Sequence, residues 1–197
     1  MSTNLTLEEQ LTKTGLNYGR RHDFSFRAGL VLQVLGAALL AVLYPLENPF
    51  YTLGIMIFEL GVLLSALYLL VWRLRIRMAI IASVVVGIAL QVTGFYVPEQ
   101  YAGAVIIGGI GLVCAGAAGM AGKEAYCFKY REGWLLMLGF PVIALANLLG
   151  KENHMLNSLG FSVLFLLLLS LTGKKLRQPL LSSCPTTACG LLPRKSA

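Results

Sequence analysis

The chain has 197 residues, of which 57% are hydrophobic and only 13% are charged, and its mean hydropathy is +0.74. Soluble domains usually carry about 25% charged residues. This composition argues against a water-soluble fold and, at this length, indicates one membrane-embedded bundle without a second folded domain. The net charge of +7 would suit nucleic acid in a soluble protein. Here the basic residues flank apolar segments, so we predict membrane lipids as partners and no nucleic acid.

We expect no cleaved signal peptide in the N-terminal region. It contains Glu8, Glu9 and Asp23 and lacks an apolar core region. Thr6 and Glu9 have the spacing of a capping box, which predicts a short surface helix. We therefore assign residues 1–26 to a cytoplasmic tail and expect the first apolar segment to serve as the insertion signal.

Six apolar runs follow, each long enough to cross about 30 Å of hydrocarbon as a helix. Backbone groups find no hydrogen-bond partner in lipid, so runs of this length must be helical. The sequence predicts an all-α, polytopic membrane protein whose bundle occupies residues 27–173. The predicted transmembrane helices are 27–44, 52–72, 78–97, 102–121, 133–150 and 155–173.

The charges predict the orientation of this bundle. Every Lys and Arg except Lys151 lies in the N-terminal tail, the second or fourth connection, or the C-terminal tail. The odd-numbered connections instead contain Glu47, Glu99 and Glu152. Under the positive-inside rule, both termini are cytoplasmic.

The same connections suggest an internal repeat. Each of the acidic residues Glu47, Glu99 and Glu152 is followed by an amide residue, and the pairs recur at nearly equal intervals. This pattern favours three similar helical hairpins. Any six spans with short connections would give nearly the same period, so the repeat indicates no function by itself.

The fourth predicted helix carries a stripe of small residues, formed by Gly111, Ala115 and Gly119. Small residues at this spacing let neighbouring backbones approach closely. We expect the stripe to pack against other helices, which would make this helix central. A groove for an elongated lipid or pigment is an alternative that uses the same residues.

Glu59 is the only formally charged residue that the predicted spans place deep in hydrocarbon. A carboxylate there is costly, so it must be protonated, paired or hydrated. A proton or cation site is one interpretation. The favoured one is a neutral carboxyl group that forms a hydrogen bond with Gln33, Gln91, Asn147 or the backbone.

Motifs for catalysis or metal binding are lacking in the sequence. The chain has four cysteines, Cys114, Cys127, Cys184 and Cys189. Their spacing fits neither a disulfide scaffold nor a zinc site, and we expect reduced thiols. His22 and His154 are predicted on opposite sides of the membrane, so they cannot jointly ligate one haem, although either could act alone. We expect no catalytic residue and no metal, and the sequence leaves the cofactor open.

One turn resembles a known family. Residues 122–135, with the sequence GKEAYCFKYREGWL, resemble the basic, Cys-Phe-containing turn of an uncharacterised six-helix integral membrane family of cyanobacteria and chloroplasts. With the six-span layout, the resemblance covers roughly residues 20–173. It implies a membrane protein of a photosynthetic lineage, in a plasma or thylakoid membrane, and supplies no activity or catalytic residue.

Cys127 lies in this turn among Lys123, Lys129 and Arg131. Nearby cations favour the reactive thiolate, so a redox-sensing thiol is one interpretation. The favoured one is an interfacial turn whose basic residues fix the orientation and whose aromatic residues anchor it.

After Gly173 the composition changes to Lys, Arg, Pro, Ser and Thr with short Leu pairs. Residues 174–197 are predicted to be a basic, largely disordered tail.

Short connections, glycine-rich packing and few intramembrane polar groups favour a non-enzymatic accessory or assembly protein of a bioenergetic, photosynthetic-type membrane. Its partners would be other membrane protein subunits. The alternative is a small-solute or ion or proton transporter that uses Glu59. A transporter usually needs several converging polar groups, and the spans contain only Glu59 and isolated amides.

Overall fold

The computed structural model describes residues 20–70, 74–149 and 154–178. Its regular elements within these residues are six helices: α1 (Arg20–Leu43), α2 (Tyr51–Leu67), α3 (Leu74–Gly94), α4 (Glu99–Phe128), α5 (Arg131–Leu148) and α6 (His154–Arg177). The predicted all-α fold is confirmed. By length and composition, α1, α3, α4 and α6 are able to cross a membrane, and α2 is a shorter apolar helix. The predicted surface helix near Thr6, the residues Cys184 and Cys189, and the tail after 178 lie outside the described residues.

Several helix ends differ from the predicted ones. Helix α1 begins at Arg20 rather than 27, α4 continues to Phe128 rather than 121, and α6 continues to Arg177 rather than 173. The 30 residues of α4 span about 45 Å, well beyond a hydrocarbon core of about 30 Å. The predicted helix ends lay at the first charged turns, because hydropathy falls there. The charged turns remain helical because their side chains pair inside the bundle.

Five helices surround the middle of the bundle, and α3 packs on its outside, chiefly against α4. The consecutive pairs α1–α2, α3–α4 and α4–α5 pack extensively, and α6 returns against α1 to close the ring. Contacts of α2 with α3 and α4, and of α5 with α6, are sparser. The middle of the bundle therefore lies between the α1–α2 pair and the α4–α5 pair.

The first two hairpins pack backbone against backbone. A Cβ atom added to Gly61 would lie 2.7 Å from the carbonyl oxygen of Gly29, and one added to Gly109 would lie 2.6 Å from that of Gly87. Only glycine fits at such distances. In the α5–α6 hairpin, a Cβ atom on Gly160 would instead meet the Ile143 side chain. The first two hairpins are alike in this respect, and the third is different.

The stripe of Gly111, Ala115 and Gly119 does not make the closest contacts of α4. Ala115 is exposed, and a Cβ atom on Gly111 would lie 3.7 Å from the Ala144 Cβ atom, which is ordinary contact. Only Gly119 is tight, with its added Cβ atom 3.0 Å from the Ile80 side chain. The expectation that the whole stripe packs inside the bundle is therefore corrected.

The α3–α4 interface uses another face of α4, which contains Gly109 and Gly116. By the helical repeat, this face lies roughly a third of a turn from the stripe. Glycines are frequent on both faces, so spacing alone did not distinguish the buried face from the open one.

Candidate functional site

The two ends of the bundle differ in chemistry. The end at which α1 begins and α4 and α6 finish contains buried charged side chains, and we call it the basic end. The opposite end carries Tyr44, Tyr51, Asn147 and Asn157, and we call it the Tyr44 end. Each end brings together residues from helices that are distant in sequence.

A buried ion cluster at the basic end is centred on Glu124 of α4, which is 1% exposed. Its Oε1 atom lies 2.6 Å from Nζ of Lys123, and its Oε2 atom lies 2.9 Å from Nζ of Lys175 on α6. The Lys175 ammonium group also lies 4.1 Å from the centroid of the Phe128 ring, a cation–π distance. The cluster therefore fastens α6 to α4.

A second buried pair fastens α1 to the same end. Nη2 of Arg27 lies 2.9 Å from Oδ2 of Asp23, and both residues are buried. Nη1 of Arg27 donates hydrogen bonds to the carbonyl oxygens of Gln178, at 2.7 Å, and Leu176, at 3.4 Å. A guanidinium group at these carbonyls satisfies acceptors that the helix end leaves open.

Tyr130, between α4 and α5, completes the basic end. Its hydroxyl oxygen accepts a hydrogen bond from the Gln178 side chain. Burial, followed by the nearby charge of Glu124, raises the pKa of the Tyr130 phenol above its usual value. The phenol is therefore protonated at neutral pH and acts as a neutral hydrogen-bonding group.

The ion cluster was missed by sequence reasoning. The predicted spans ended at 121 and 173, so Glu124 and Lys175 counted as surface charges. Four further charged residues, Asp23, Arg27, Glu124 and Lys175, are more than nine-tenths buried, which the predicted spans did not indicate. A signal was available, since acidic and basic residues occur together at the ends of three predicted spans.

Cys127 is 2% exposed and takes part in a disulfide bond. The expectation of a reduced thiol is therefore corrected for this residue, and the redox-sensing interpretation stays a prediction, since a disulfide is the oxidised state of a thiol pair.

A cavity of about 280 Å³ lies toward the Tyr44 end, among α1, α2, α4, α5 and α6. On α6 its wall is one helix face, from Asn157 through Phe161 and Leu164 to Leu168. This face extends over about 16 Å. Most of the remaining lining is aliphatic or aromatic, so the cavity is an elongated apolar space.

Glu59 lines this cavity, about 12 Å along α2 from its first residue. Its Oε1 atom accepts a hydrogen bond of 2.5 Å from Nε2 of Gln91 on α3. Gln91 is one of the amide partners expected from the sequence. The other amides bind elsewhere: Gln33 donates to Ser65, and Asn147 pairs within the α5–α6 hairpin.

A polar cluster forms the rim of the cavity. Asn147 and Asn157 exchange side-chain hydrogen bonds of 2.7 and 3.0 Å. Asn157 also donates to the Tyr44 hydroxyl group at 3.2 Å, and the Tyr44 ring stacks on the His154 ring with centroids 5.0 Å apart. These contacts tie α1, α5 and α6 together where the α5–α6 packing is sparse.

In the part of the chain that the structure describes, no group of three His, Cys, Asp or Glu side chains is arranged to hold a metal ion. In the comparison with protein families, a family described as "Uncharacterized integral membrane protein (DUF2301)" matches residues 55–183, well over half of the chain. The match runs from within α2 beyond the end of α6. No curated protein and no solved structure matches the chain.

Proposed function

The chain belongs to the DUF2301 family of integral membrane proteins, and we propose that it is a non-enzymatic accessory or assembly protein that packs against other subunits of a bioenergetic, photosynthetic-type membrane. The supporting observation is a face of α4 that the bundle leaves largely uncovered, since two of its four small residues are exposed and the other two are half-buried. It consists of Ala104, Gly108, Gly111 and Ala115, at helical spacings of four, three and four residues. We call it the open face of α4.

The open face suits close helix packing. Ala104 and Ala115 are exposed, and a Cβ atom added to Gly108 would meet no atom within 4 Å. In lipid, helices associate through small residues that let backbones approach, rather than through the hydrophobic effect. A row of small residues facing outward therefore fits a helix of another subunit.

Affinity purification from native membranes tests this proposal. Gly108→Leu and Ala115→Leu should leave the bundle folded and remove the co-purifying subunits. Gly109→Leu is the matched control, because it alters the adjacent residue on the buried face and should reduce the amount of folded protein. Retention of the same subunits by both open-face variants would contradict the proposal.

We also propose that both termini face the cytoplasmic side, in a plasma or thylakoid membrane. The described basic residues support this orientation because they cluster at the basic end of the bundle, at Arg20, Arg21, Arg27, Arg75, Arg77, Lys123, Lys129, Arg131, Lys174, Lys175 and Arg177. Engineered cysteines at positions 48 and 99 should react with an impermeant reagent from outside. Those at 75 and 129 should react only after permeabilisation.

Transport through Glu59 is the second candidate function, because this carboxyl group lines a cavity rather than a packed interface. Intramembrane ionisable groups often mark solute or ion pathways. Under the leading proposal, reconstituted vesicles show no pH-driven flux. A flux that wild-type protein supports and Glu59→Gln abolishes would favour transport instead.

A further inference from the structure

One carboxyl group of the cavity wall has no cationic partner among the described residues. Glu59 is the one formally charged side chain among the described residues that line the cavity. Its Oε1 atom is held by the neutral amide of Gln91, and its Oε2 atom has no partner among the described residues. At the basic end, by contrast, Glu124 has two lysines. When the Glu59 carboxyl group is ionised, it thus lacks the cationic partners that Glu124 has.

The apolar part of the wall is rich in aromatic rings. Tyr44, Tyr51, Phe58, Phe140 and Phe161 all line the cavity. Aromatic faces attract organic cations electrostatically, and ammonium groups are often recognised by several rings around them. The wall therefore combines a carboxyl group with aromatic faces, and both attract an organic cation.

The size of the cavity limits the ligand. Its volume of about 280 Å³ is close to the lower end of the range of ~300–1,000 Å³ for small-molecule sites. It is nearly twice the volume of an engineered cavity of ~150 Å³ that binds benzene. One aromatic ring with a small substituent fits such a space, and a whole phospholipid does not.

We propose that this cavity binds a small hydrophobic monocation, such as an aryl ammonium compound, whose positive group pairs with Glu59 and contacts aromatic faces of the wall, while its apolar body fills the rest of the cavity. The ligand supplies the cation that the described part of the protein does not provide there. This goes beyond an accessory role, since ligand binding in the cavity does not require the open face of α4.

Two probes of the same shape test the role of charge. Phenyltrimethylammonium and tert-butylbenzene differ in one atom, nitrogen against carbon, and therefore in charge. Binding of radiolabelled phenyltrimethylammonium to the full chain in lipid nanodiscs should be saturable. We expect tert-butylbenzene to compete at least about tenfold more weakly than unlabelled cation, because it forms neither an ion pair nor a cation–π contact. Equal competition, or no saturable binding, would overturn the proposal without reliance on any variant.

Substitutions then locate the site. Glu59→Gln should weaken cation binding at least about tenfold, because an unpaired buried cation is strongly disfavoured, while Glu99→Gln removes an exposed carboxylate and should have no effect. Ala144→Trp fills the cavity and should abolish binding, whereas Leu145→Trp alters the adjacent exposed residue and should not. Unchanged binding by folded Glu59→Gln or Ala144→Trp protein would place the cation elsewhere and reject the site. Co-purification of partner subunits reports separately on the accessory role.

Discussion

The two halves of the bundle illustrate two ways of placing polar groups inside a membrane protein. At the basic end, Glu124 is paired twice, and the void beside it measures about 10 Å³. Toward the Tyr44 end, Glu59 is held by one neutral amide beside a cavity of about 280 Å³. Buried charges that pair within the chain allow tight packing. A carboxyl group left beside open space is better suited to meet an external partner.

The largest effect should come from breaking the ion cluster. Glu124→Gln leaves Lys123 and Lys175 without their carboxylate, and removal of one member of a buried ion pair costs about 3–5 kcal/mol of unfolding free energy. Denaturant titration in detergent micelles measures this loss. Glu132→Gln is the control. It breaks the pair with Lys174, whose side chain is 47% exposed, so its cost should stay at or below about 1 kcal/mol. Equal costs would mean that the basic end is not held by its buried charges.

Enlarging an alanine should change the free energy of unfolding in opposite directions in the two halves of the bundle. Ala144 lines the cavity, so Ala144→Leu should raise the free energy of unfolding by about 1 kcal/mol by filling empty space. Ala121 is 5% exposed beside the small void, and Ala121→Leu should lower it by about 1–3 kcal/mol through overpacking. The same titration compares both variants with the parent. Destabilisation of similar size at both sites would show that the cavity does not accommodate a leucine side chain at position 144.

The sequence predicted the fold class because a long apolar run leaves the backbone no alternative to a helix in lipid. It predicted Gln91 only as one of several possible partners of Glu59, since partners on different helices depend on how the helices are rotated. The same rotation decided which small residues of α4 are buried: Gly109 is buried, and Ala115 is exposed. The buried Glu124 was missed because hydropathy treats every charge as a helix end, whereas paired charges can continue inside the bundle.

The smallest effect concerns the rim of the cavity. Asn157→Ala removes the amide that pairs with Asn147 and donates to Tyr44, so three hydrogen bonds between helices are lost. Interhelical hydrogen bonds in membrane proteins average about 0.6 kcal/mol, because the groups find other partners when the helices separate. Since Asn147 and Tyr44 are only partly buried, water can replace the lost partner at these two residues, and we expect a total cost of about 1 kcal/mol or less. Ser158→Ala is the matched control on α6. The Ser158 hydroxyl group donates only to the carbonyl oxygen of His154 in the same helix, so the unfolding free energy of this variant should equal that of the parent. A loss of several kcal/mol in Asn157→Ala, comparable with that of Glu124→Gln, would show that the Tyr44 end is held as firmly as the basic end and would remove the contrast between the two halves.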